Sequence, residues 1–404
     1  MKWETYKLKQ LCSEIVDCVN KTAPTSDVPT PYKMLRTSDI RDGKINLENL
    51  NCVTKEVYEK WTRRGKLQKG DVIFTREAPL GEVGLVREEK NYFLGQRLVL
   101  FRANNKMCDG RFLMYSLLWR DNKQAIISKG VGSTVAHLRV PECENIEIKV
   151  PDLDVQHRIA DILSAYDDLI ENNQKQIKLL EEAAQRLYKE WFVDLRFPGH
   201  ENTKIVDGLP EGWQYEKLGD LVKTTSGGTP SRRKSEYYVN GNIRWIKTKE
   251  LNDRFIFETE EHITEDAVKN SSAKVLPEGA LIVAMYGATI GKIGITAAEM
   301  ACNQACCAFI SFDDMISKEY LYCWLMDNRE YLVSQGKGAA QSNLSQEMIR
   351  NFSLLCPDKK VIKKFTEIVT TMLENKRVLE NKILMLSKAR DDLLPKLMSE
   401  EVEV

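Results

Sequence analysis

The sequence predicts an internally duplicated α+β fold, in which two globular domains alternate with two long helices that pair as an antiparallel coiled coil. Three observations support this prediction: a repeat at an offset of 206 residues, short strand-like segments in each copy, and two long heptad patterns. The predicted boundaries are residues 1–152 for the first globular domain, 153–206 for the central spacer helix and linker, 207–358 for the second globular domain, and 359–404 for the distal helix.

The repeat is clearest around the two long helices. Residues 130–187 align without a gap onto residues 336–393, and 12 of the 58 positions are identical. At the front of each half, residues 3–11 resemble residues 213–221. The identical pairs that mark turns and helical spacing include Gly130/Gly336, Gly132/Gly338, Leu138/Leu344, Pro151/Pro357, Asp152/Asp358, Ile162/Ile368, Ile177/Ile383, Leu180/Leu386 and Leu187/Leu393. One unit of roughly 200 residues has therefore been duplicated within the chain.

Each copy has the same internal order of predicted elements. Short apolar or alternating segments bounded by Gly, Pro and Asn predict β-strands. These segments are DVIFTRE (71–77), QRLVLF (96–101), ALIVAMY (280–286) and ACCAFISF (305–312). A short helix follows in each copy, at residues 111–119 and 318–327, and a glycine-marked loop then leads into the long helix.

The two long helices carry apolar residues at alternating steps of three and four, which is the heptad pattern of a coiled coil. We expect the two helices to pair with each other, and the alternative is two unrelated amphipathic helices on separate cores. The predicted pairing residues are Ile159, Ile162, Tyr166, Leu169, Ile177, Leu180 and Leu187 in the first helix, and Ile362, Phe365, Val369, Met372, Leu379, Ile383, Leu386 and Leu393 in the second. Lys376 and Arg390 interrupt the second pattern. A rod of about 50 Å would then separate the globular domains.

Composition is that of an ordinary globular protein, with 43% hydrophobic and 29% charged residues. No apolar run reaches the roughly 18 residues that span a bilayer, and residues 1–10 lack a signal-peptide pattern. We therefore expect no membrane association and a cytoplasmic location. None of the ten cysteines forms a C-x-x-C pair, and Cys302, Cys306 and Cys307 are predicted to be small core side chains rather than metal ligands.

The chain has no net charge, with 59 basic and 59 acidic residues, but the charge is unevenly distributed. Residues 223–249 contain seven basic residues and one acidic residue, interleaved with Ser, Thr, Tyr and Trp. Such side chains can meet phosphates and base edges, whereas the plainer interpretation is a solvated loop. The candidate DNA contacts are Arg36, Thr37, Ser38, Arg63, Arg64, Lys66, Ser133, His137, Ser226, Thr229, Arg232, Arg233, Lys234, Lys247 and Lys249.

No catalytic motif fits the sequence. Around Lys292, a phosphate-binding loop fails because only three residues separate Gly287 from Gly291 and Ile293 follows the lysine. A nuclease-like combination of Asp358, Glu374 and Lys376 lies on a predicted helix, not at strand ends. We therefore expect no catalytic residue and no metal site. Two alternatives remain: an enzyme in its own right, either a nuclease or a fused methyltransferase, and a coiled-coil scaffold that binds protein.

Two long segments resemble a known family. LPEGWQYEKLGDLVKTTSGGTPSRRKSEYYVNGNIRWIKTKEL (209–251), followed by LPEGALIVAMYGATIGKIGI (276–295) and CNQA (302–305), resembles the target-recognition domain of type I restriction–modification specificity subunits. Residues 151–192, beginning PDLDVQHRIA, resemble the central spacer of that family, and residues 358–397 resemble its distal counterpart. The resemblance covers essentially the whole chain.

The resemblance implies two target-recognition domains, each reading one half of a split, asymmetric site on double-stranded DNA. The paired helices would set the gap between the halves and dock two modification (methyltransferase) subunits. Those subunits would bring S-adenosylmethionine and adenine methylation, and separate restriction subunits would bring Mg²⁺ and ATP-driven translocation and cleavage in host defence. This chain would bind no cofactor and catalyse nothing itself. Because the first half lacks the SGGTP segment found at 226–230, the two half-sites should differ.

Overall fold

The computed structural model describes residues 3–132, 135–336, 343–399 and 401. It divides the chain into two compact units: Met1–Leu169 together with Leu386–Val404, and Ile170–Met385. Each unit therefore contains one globular domain and a part of both long helices. This division cuts across the helices, whereas the sequence boundaries follow the ends of the predicted elements.

The first globular domain is built mainly from short strands. Its strands are β1 (Glu4–Lys7), β2 (Cys12–Asp17), β3 (Lys33–Leu35), β4 (Ile40–Arg41), β5 (Lys44–Ile45), β6 (Asn51–Cys52), β7 (Val72–Thr75), β8 (Val83–Leu85), β9 (Tyr92–Leu94), β10 (Leu98–Ala103) and β11 (Glu147–Val150). Its helices are α1 (Leu8–Leu11), α2 (Lys55–Trp61), α3 (Gly110–Leu118), α4 (Arg120–Ser128) and α5 (Val140–Glu144).

The larger sheet of the first domain is antiparallel and has the strand order β2-β10-β7-β8. Phe74, Phe101 and Phe112 are buried in one core cluster, whereas Ile73 and Leu100 are buried in another. Because β7 and β10 bury both of their faces, their sequences are continuous apolar runs rather than alternating ones. A second sheet has the order β6-β3-β9, and within it β3 and β9 are parallel.

The long helix α6 (Leu153–Tyr188) follows the first domain, and a π-helical turn (Lys189–Val193) ends it. The second domain contains β12 (Ile205–Val206), β13 (Leu209–Pro210), β14 (Gln214–Lys217), β15 (Val222–Ser226), β16 (Ile243–Ile246), β17 (Arg254–Ile256), β18 (His262–Ile263), β19 (Val275–Leu276), β20 (Leu281–Ala284), β21 (Ile293–Thr296), β22 (Met300–Cys302), β23 (Cys306–Phe312) and β24 (Ser353–Cys356). Its helices are α7 (Leu218–Leu221), α8 (Glu265–Lys269), α9 (Lys318–Asp327), α10 (Arg329–Gln335) and α11 (Gln346–Arg350), and α12 (Lys359–Met398) follows.

The second domain repeats the plan of the first. Its larger sheet has the order β15-β23-β20-β21-β17, and a second sheet, β18-β16-β22-β19, contains the parallel pair β16 and β22. Helix α9 covers the residues that the sequence predicted. Cys302, Cys306 and Cys307 are buried, and burial raises the pKa of Cys307 to about 12. Among the described residues, no group of three His, Cys, Asp or Glu side chains is placed to hold a metal ion.

Two contacts within the second unit show that α6 and α12 run antiparallel. The rings of Tyr188 and Phe365 lie 6.5 Å apart, and Lys376 Nζ lies 2.6 Å from Glu181 Oε1. The residue number therefore falls along α6 as it rises along α12, and the predicted antiparallel pair is confirmed. In the first unit, Asp167 and Arg390 form an ion pair of 2.5 Å between the same two helices. Within the described parts of the chain, no helix has the length and apolar character needed to cross a membrane.

The buried face of α12 includes the predicted heptad residues, and Leu373, which was not among them, is buried as well. Ile362, Phe365 and Val369 are buried, and Met372, Leu379, Ile383, Leu386 and Leu393 are half-buried. In α6, Ile159 is buried, and Ile162, Tyr166, Ile177, Leu180 and Leu187 are half-buried.

Leu169 departs from the pattern that the sequence predicted for α6. It is 51% exposed, and its neighbour Ile170 is buried instead. The stripe is displaced by one residue here because Asp167 is 5% exposed and occupies the helix contact as the partner of Arg390. A pattern read from apolar residues alone passes over this buried acid.

Lys376 and Arg390, the basic residues that interrupt the α12 heptads, form ion pairs with acids of α6. Lys376 is 1% exposed, and its Nζ lies 2.6 Å from Glu181 Oε1 on α6. The same Nζ donates to the carbonyl of Asp253 at 2.6 Å and to Tyr322 Oη at 3.1 Å. Burial acts against the charge of Lys376, but Tyr322 and the acids Glu181 and Glu380 outweigh it and raise the pKa of the lysine above its ordinary value.

Candidate nucleic-acid interface

Each globular domain contains a pair of parallel strands whose carboxyl ends lie at the same edge of a sheet. In the first domain, Leu35 of β3 is opposite Leu94 of β9. In the second, Ile246 of β16 is opposite Cys302 of β22. Loops leave the sheet at these carboxyl ends, where open α/β sheets characteristically bind ligands. This edge is therefore the first place to look for a binding site in each domain.

In each domain, the two loops that follow the parallel strands lie beside each other, and a threonine from a third segment joins them. The residues in the two domains match. We call residues 22, 36–38 and 95–97 the first edge, and residues 229, 247–249 and 303–305 the second edge. The first edge comprises Thr22, Arg36, Thr37, Ser38, Gly95, Gln96 and Arg97, and the second edge comprises Thr229, Lys247, Thr248, Lys249, Asn303, Gln304 and Ala305.

The loop after β3 is a single 3-10 turn, Thr37–Asp39. Asp39 is buried and accepts a hydrogen bond from the backbone N of Arg36 at 2.8 Å, while also binding the Arg36 guanidinium. The carboxylate thus fixes the turn and neutralises the neighbouring base. Ser38 is exposed on the outside of the turn, where its hydroxyl can reach a ligand.

The loop after β16 is built in the same way, as the 3-10 turn Thr248–Glu250. Glu250 accepts a hydrogen bond from the backbone N of Lys247 at 2.7 Å. Lys249 occupies the exposed position that Ser38 holds in the first edge. The two edges therefore share a backbone conformation and differ in the side chain presented.

The loop after β9 is held against β3 by its backbone. The N–H of Gly95 donates to the carbonyl of Leu35 at 2.9 Å, and a Cβ at Gly95 would lie 2.2 Å from that oxygen. Only glycine fits such a close approach. Gln96 is half-buried, and Arg97 is exposed and pairs with Glu77 at 3.3 Å.

The loop after β22 makes the equivalent backbone contact. The N–H of Asn303 donates to the carbonyl of Ile246 at 2.9 Å, and Asn303 Oδ1 accepts from the N–H of Ala305 at 3.1 Å. The asparagine side chain closes the turn. Gln304, between these two residues, is exposed to solvent.

A threonine hydroxyl meets a glutamine amide in both edges. Thr22 Oγ1 donates to Gln96 Oε1 at 3.2 Å, and Thr229 Oγ1 donates to Gln304 Oε1. The same pair of side chains thus forms the same hydrogen bond in each copy. A cavity of about 240 Å³ opens beside Gln96 in the first edge.

Acidic neighbours neutralise much of the positive charge of the second edge. Lys247 pairs with Glu260 and Glu261, and Lys249 also pairs with Glu260. Arg232 forms an ion pair of 2.6 Å with Glu261. The hydrogen bond from Arg232, assisted by Lys247, outweighs the opposing effect of burial and lowers the pKa of Glu261 to about 2, so this carboxylate remains ionised at any physiological pH. The acidic balance of this half is therefore compatible with a binding edge that carries little net charge.

Arg232 and Arg233 have different environments although they are adjacent. The Arg232 guanidinium lies over the rings of Tyr238 at 4.3 Å and Trp245 at 5.2 Å, which are cation–π contacts. Arg232 therefore supports the fold of its loop. Arg233 is exposed, so its charge can meet a ligand.

Each edge contains three of the residues predicted from sequence. These are Arg36, Thr37 and Ser38 in the first edge, and Thr229, Lys247 and Lys249 in the second. Ser226 is half-buried at the end of β15. Lys234 Nζ donates to Tyr237 Oη at 3.0 Å and lies over that ring, which gives it a local structural contact.

Three further predicted residues lie after α2. Arg64 Nη1 donates to the carbonyl of Cys18 at 3.0 Å, and Lys66 Nζ lies 6.0 Å from the ring centre of Tyr58. Both residues therefore have partners within the domain. Arg63 is exposed.

His137 supports a loop of the first domain through its backbone. Its N–H and carbonyl both bond to Val131 at 3.0 Å, and it also forms a bridge with Glu77, the acid that pairs with Arg97. Its role as a DNA contact stays a prediction. Ser133, which the sequence also indicated, lies outside the described residues.

Sequence reasoning passed over Thr22, Gln96, Arg97 and Gln304 because none of them lies in a basic segment. The repeat contained the signal, since Gln follows Gly or Asn directly before a buried strand in both halves. Aligning the halves around that glutamine would have identified both edges.

The nuclease-like combination has no support in the structure. Lys376 is committed to its ion pair with Glu181, and Glu374 is exposed on the same helix. Asp358 accepts a hydrogen bond from the N–H of Lys360 at 2.7 Å, at the start of α12. These side chains serve the helix rather than a shared metal.

A family model described as "Type I restriction modification DNA specificity domain" matches residues 1–182 and 210–385. The MjaIX type I restriction enzyme specificity subunit of Methanocaldococcus jannaschii is 28% identical over 345 residues, which cover 83% of this chain and 78% of that protein. The HindI type I restriction enzyme specificity subunit of Haemophilus influenzae is 23% identical over 438 residues, covering 91% of this chain and 94% of that protein.

A solved structure has a similar fold. The S subunit of a type I restriction–modification system from M. genitalium superposes with a TM-score of 0.64 at 17% sequence identity, covering 98% of this chain and 96% of that one. At this identity the likeness concerns the fold alone. It extends over both globular domains and both long helices.

Proposed function

Because this chain belongs to the family of type I restriction–modification DNA specificity domains, we propose that it selects the DNA site of such a complex. Each globular domain reads one half of a split, asymmetric site on double-stranded DNA. The chain is a specificity component rather than an enzyme.

The observation that carries this proposal is that one chain builds the same edge twice. Hydroxyl and amide groups project from both edges, and these groups suit base edges and phosphates. The exposed middle of the turn differs, with Ser38 in one edge and Lys249 in the other. Edges with one backbone plan and different side chains are suited to two half-sites of different sequence.

Duplication also answers an energetic need. One small domain reads only a few base pairs, and each good contact discriminates by about 1–3 kcal/mol. A genome offers millions of competing sites, so one half-site gives too little selectivity. Linking two readers makes the second binding event intramolecular and raises the effective affinity by orders of magnitude.

We assign the remaining roles to the long helices and to other subunits. The pair α6 and α12 sets the spacing of the half-sites and docks two modification (methyltransferase) subunits. Those subunits hold S-adenosylmethionine and methylate adenine, and restriction subunits hold ATP and Mg²⁺. The assembled complex acts on DNA in the cytoplasm.

Selection from a random duplex library tests this proposal. The full chain, co-expressed with its modification subunits, should enrich a motif of two short blocks separated by a fixed gap. Binding should weaken steeply with salt, because phosphate contacts release counterions. Enrichment of one contiguous motif, or retention of the protein partners without any DNA selectivity, would overturn the proposal and favour a scaffold.

A further inference from the structure

Gln96 and Gln304 occupy matched positions in the two edges, and they are identical where most of the surrounding matched positions differ. The edges differ at several matched positions: Arg36 against Lys247, Ser38 against Lys249 and Arg97 against Ala305. The Thr–Gln pair is kept in both. Residues that vary suit two different half-sites, whereas a residue kept in both suits a feature that the half-sites share.

A threonine hydroxyl holds the end of the glutamine amide in place. In the structure the hydroxyl of Thr22 donates to Oε1 of Gln96, and the same hydroxyl could accept from Nε2 if the amide turned over. Thr229 does the same for Gln304. In this arrangement Oε1 keeps a second lone pair, and Nε2 has no hydrogen-bond partner among the described residues in either edge. A donor and an acceptor therefore stand side by side.

The backbone beside each glutamine is also fixed. The preceding residue donates its N–H to the end of the adjacent strand at 2.9 Å in both domains, from Gly95 to Leu35 and from Asn303 to Ile246. A recognition side chain on a rigid support loses less entropy on binding and discriminates more sharply. Because the Thr–Gln bonds are exposed, they add little to stability by themselves.

We propose that Gln96 and Gln304 are equivalent specificity-determining residues that each bind the N6 and N7 edge of an adenine, one in each half-site. Oε1 accepts from the adenine N6 amino group, and Nε2 donates to N7. This paired contact is the one that a glutamine amide makes best in the major groove. The inference rests on the proposed function and adds a residue and a base to it.

The test uses the full chain with its modification subunits and the duplex found by selection. Gln96→Ala should reduce discrimination at one adenine of one half-site by roughly 5- to 150-fold and leave the other half-site unchanged. Gln304→Ala should do the converse. Replacing that adenine by 7-deazaadenine should weaken binding of the wild type and have no further effect on the variant, since only N7 is removed.

Matched variants separate recognition from support of the fold. Gln124 is exposed on α4, and Gln124→Ala should leave both half-sites unchanged. Thr22→Val should lower discrimination at the same adenine as Gln96→Ala, by a smaller factor, and Thr22→Ser should restore it. The melting temperature should stay within about 1 °C of the wild type for Gln96→Ala, because the lost bond is exposed.

Three results would overturn the inference. One is an equal loss of affinity for all sequences with a smaller salt dependence, which would mark a phosphate contact. Another is a fall in melting temperature that accounts for the lost binding, and the third is unchanged recognition in both glutamine variants. If the wild-type complex itself selects no split site, the proposed function fails first. If it selects one and the variants match it, only this inference fails.

Discussion

The two units each bury an ionic cluster between the long helices, and the two clusters have opposite polarity. In the first unit, the helix that follows the globular domain contributes the acid, Asp167, and the other helix contributes the base, Arg390. Tyr115 of the domain donates its hydroxyl proton to the same acid at 2.5 Å. The first domain, α6 and α12 therefore all contact the carboxylate of Asp167.

In the second unit the same three parts meet at a base. The helix that follows this domain contributes Lys376, the other helix contributes Glu181, and Tyr322 of the domain accepts a hydrogen bond from the lysine. A tyrosine from α3 or α9 completes each cluster, because its hydroxyl can serve either charge. The architecture is shared, and in both ion pairs α6 supplies the acid and α12 supplies the base, so the helix that follows the domain contributes the acid in the first unit and the base in the second.

The buried charges specify which helices pair, because α6 supplies both acids and α12 supplies both bases. The repeat aligns three of these charges with apolar residues of the other half: Asp167 with Leu373, Lys376 with Ile170, and Arg390 with Ala184. Pairing two copies of the same helix would therefore place a buried charge opposite an apolar side chain, which costs several kcal/mol. The apolar stripe provides adhesion, and the polar positions specify that α6 pairs with α12.

The largest expected effect comes from removing the base of the second cluster. Lys376→Met keeps the length of the side chain but removes the base that pairs with Glu181 and Glu380, so we expect a loss of about 3–5 kcal/mol in the free energy of unfolding. Urea denaturation of the full chain measures it. Lys382→Met, at an exposed position of the same helix, should cost no more than about 0.5 kcal/mol. Equal losses in the two variants would show that the cluster has no special role.

Exchanging the charges of the first cluster tests whether its polarity is arbitrary. Asp167→Arg and Arg390→Asp should each destabilise the chain, because each places two like charges together. The double variant should recover about 2–3 kcal/mol of coupling free energy in a double-mutant cycle. Tyr115 could then accept from an arginine, as Tyr322 accepts from Lys376. No recovery would mean that the surroundings, and not the ion pair, select the sign.

The second cluster has an additional acid, so it should respond to pH. Burial, ahead of the opposing effect of Lys376, raises the pKa of Glu380 to about 7. Its Oε2 accepts from the N–H of Phe255 at 2.7 Å, and no hydrogen-bond partner is found for its Oε1 among the described residues. The folded state thus binds the proton more tightly than the unfolded state, whose Glu has a pKa of about 4.3.

The sign of the effect follows from this difference. The stabilisation by protonated Glu380 is complete below about pH 4.5 and is lost as the pH rises through about 7. Between pH 5 and pH 8 the wild type should lose about 2 kcal/mol more than Glu380→Gln, in which the group stays neutral. Urea denaturation at the two pH values measures the difference. A pH dependence shared by the variant would assign the effect to other groups.

The smallest expected effect separates two neighbouring arginines near the second edge. Arg233→Ala should weaken DNA binding by roughly 0.5–1 kcal/mol and lower the slope of log K against log salt by up to about 0.9, with no change in melting temperature. Arg232→Ala should instead lower the melting temperature, because it removes the stacking on Tyr238 and Trp245. Identical behaviour of the two variants would contradict the division between binding and support.

The fold was accessible from sequence because it depends on patterns that repeat. Offsets between identical glycines and prolines locate both copies, and heptads locate both helices. The buried face of α6 around Leu169 could not be predicted from the sequence. Asp167 is buried there because it pairs with Arg390, which is more than two hundred residues away in the chain. An apolar pattern contains no information about such a partner.

The candidate edges were accessible only in part. Arg36, Thr37 and Ser38 form one continuous segment, so their chemistry is evident from sequence. Gln96 reaches the same edge from another strand, and a single uncharged glutamine gives no signal until the sheet places it beside Thr22. Basic segments, in contrast, overestimate the number of DNA contacts, because the sequence does not show which bases have acidic partners in space. Arg232 and Lys247 both pair with Glu261.

Mapping adenine methylation in the host genome, with and without this gene, tests the central claim most directly. If each domain reads one half-site, a split motif with two different halves should be methylated when the chain is present. The motif should disappear on deletion and return on complementation. Methylation that is unchanged by deletion, or a contiguous motif that lacks a gap, would contradict the claim that the two domains read two halves of one site.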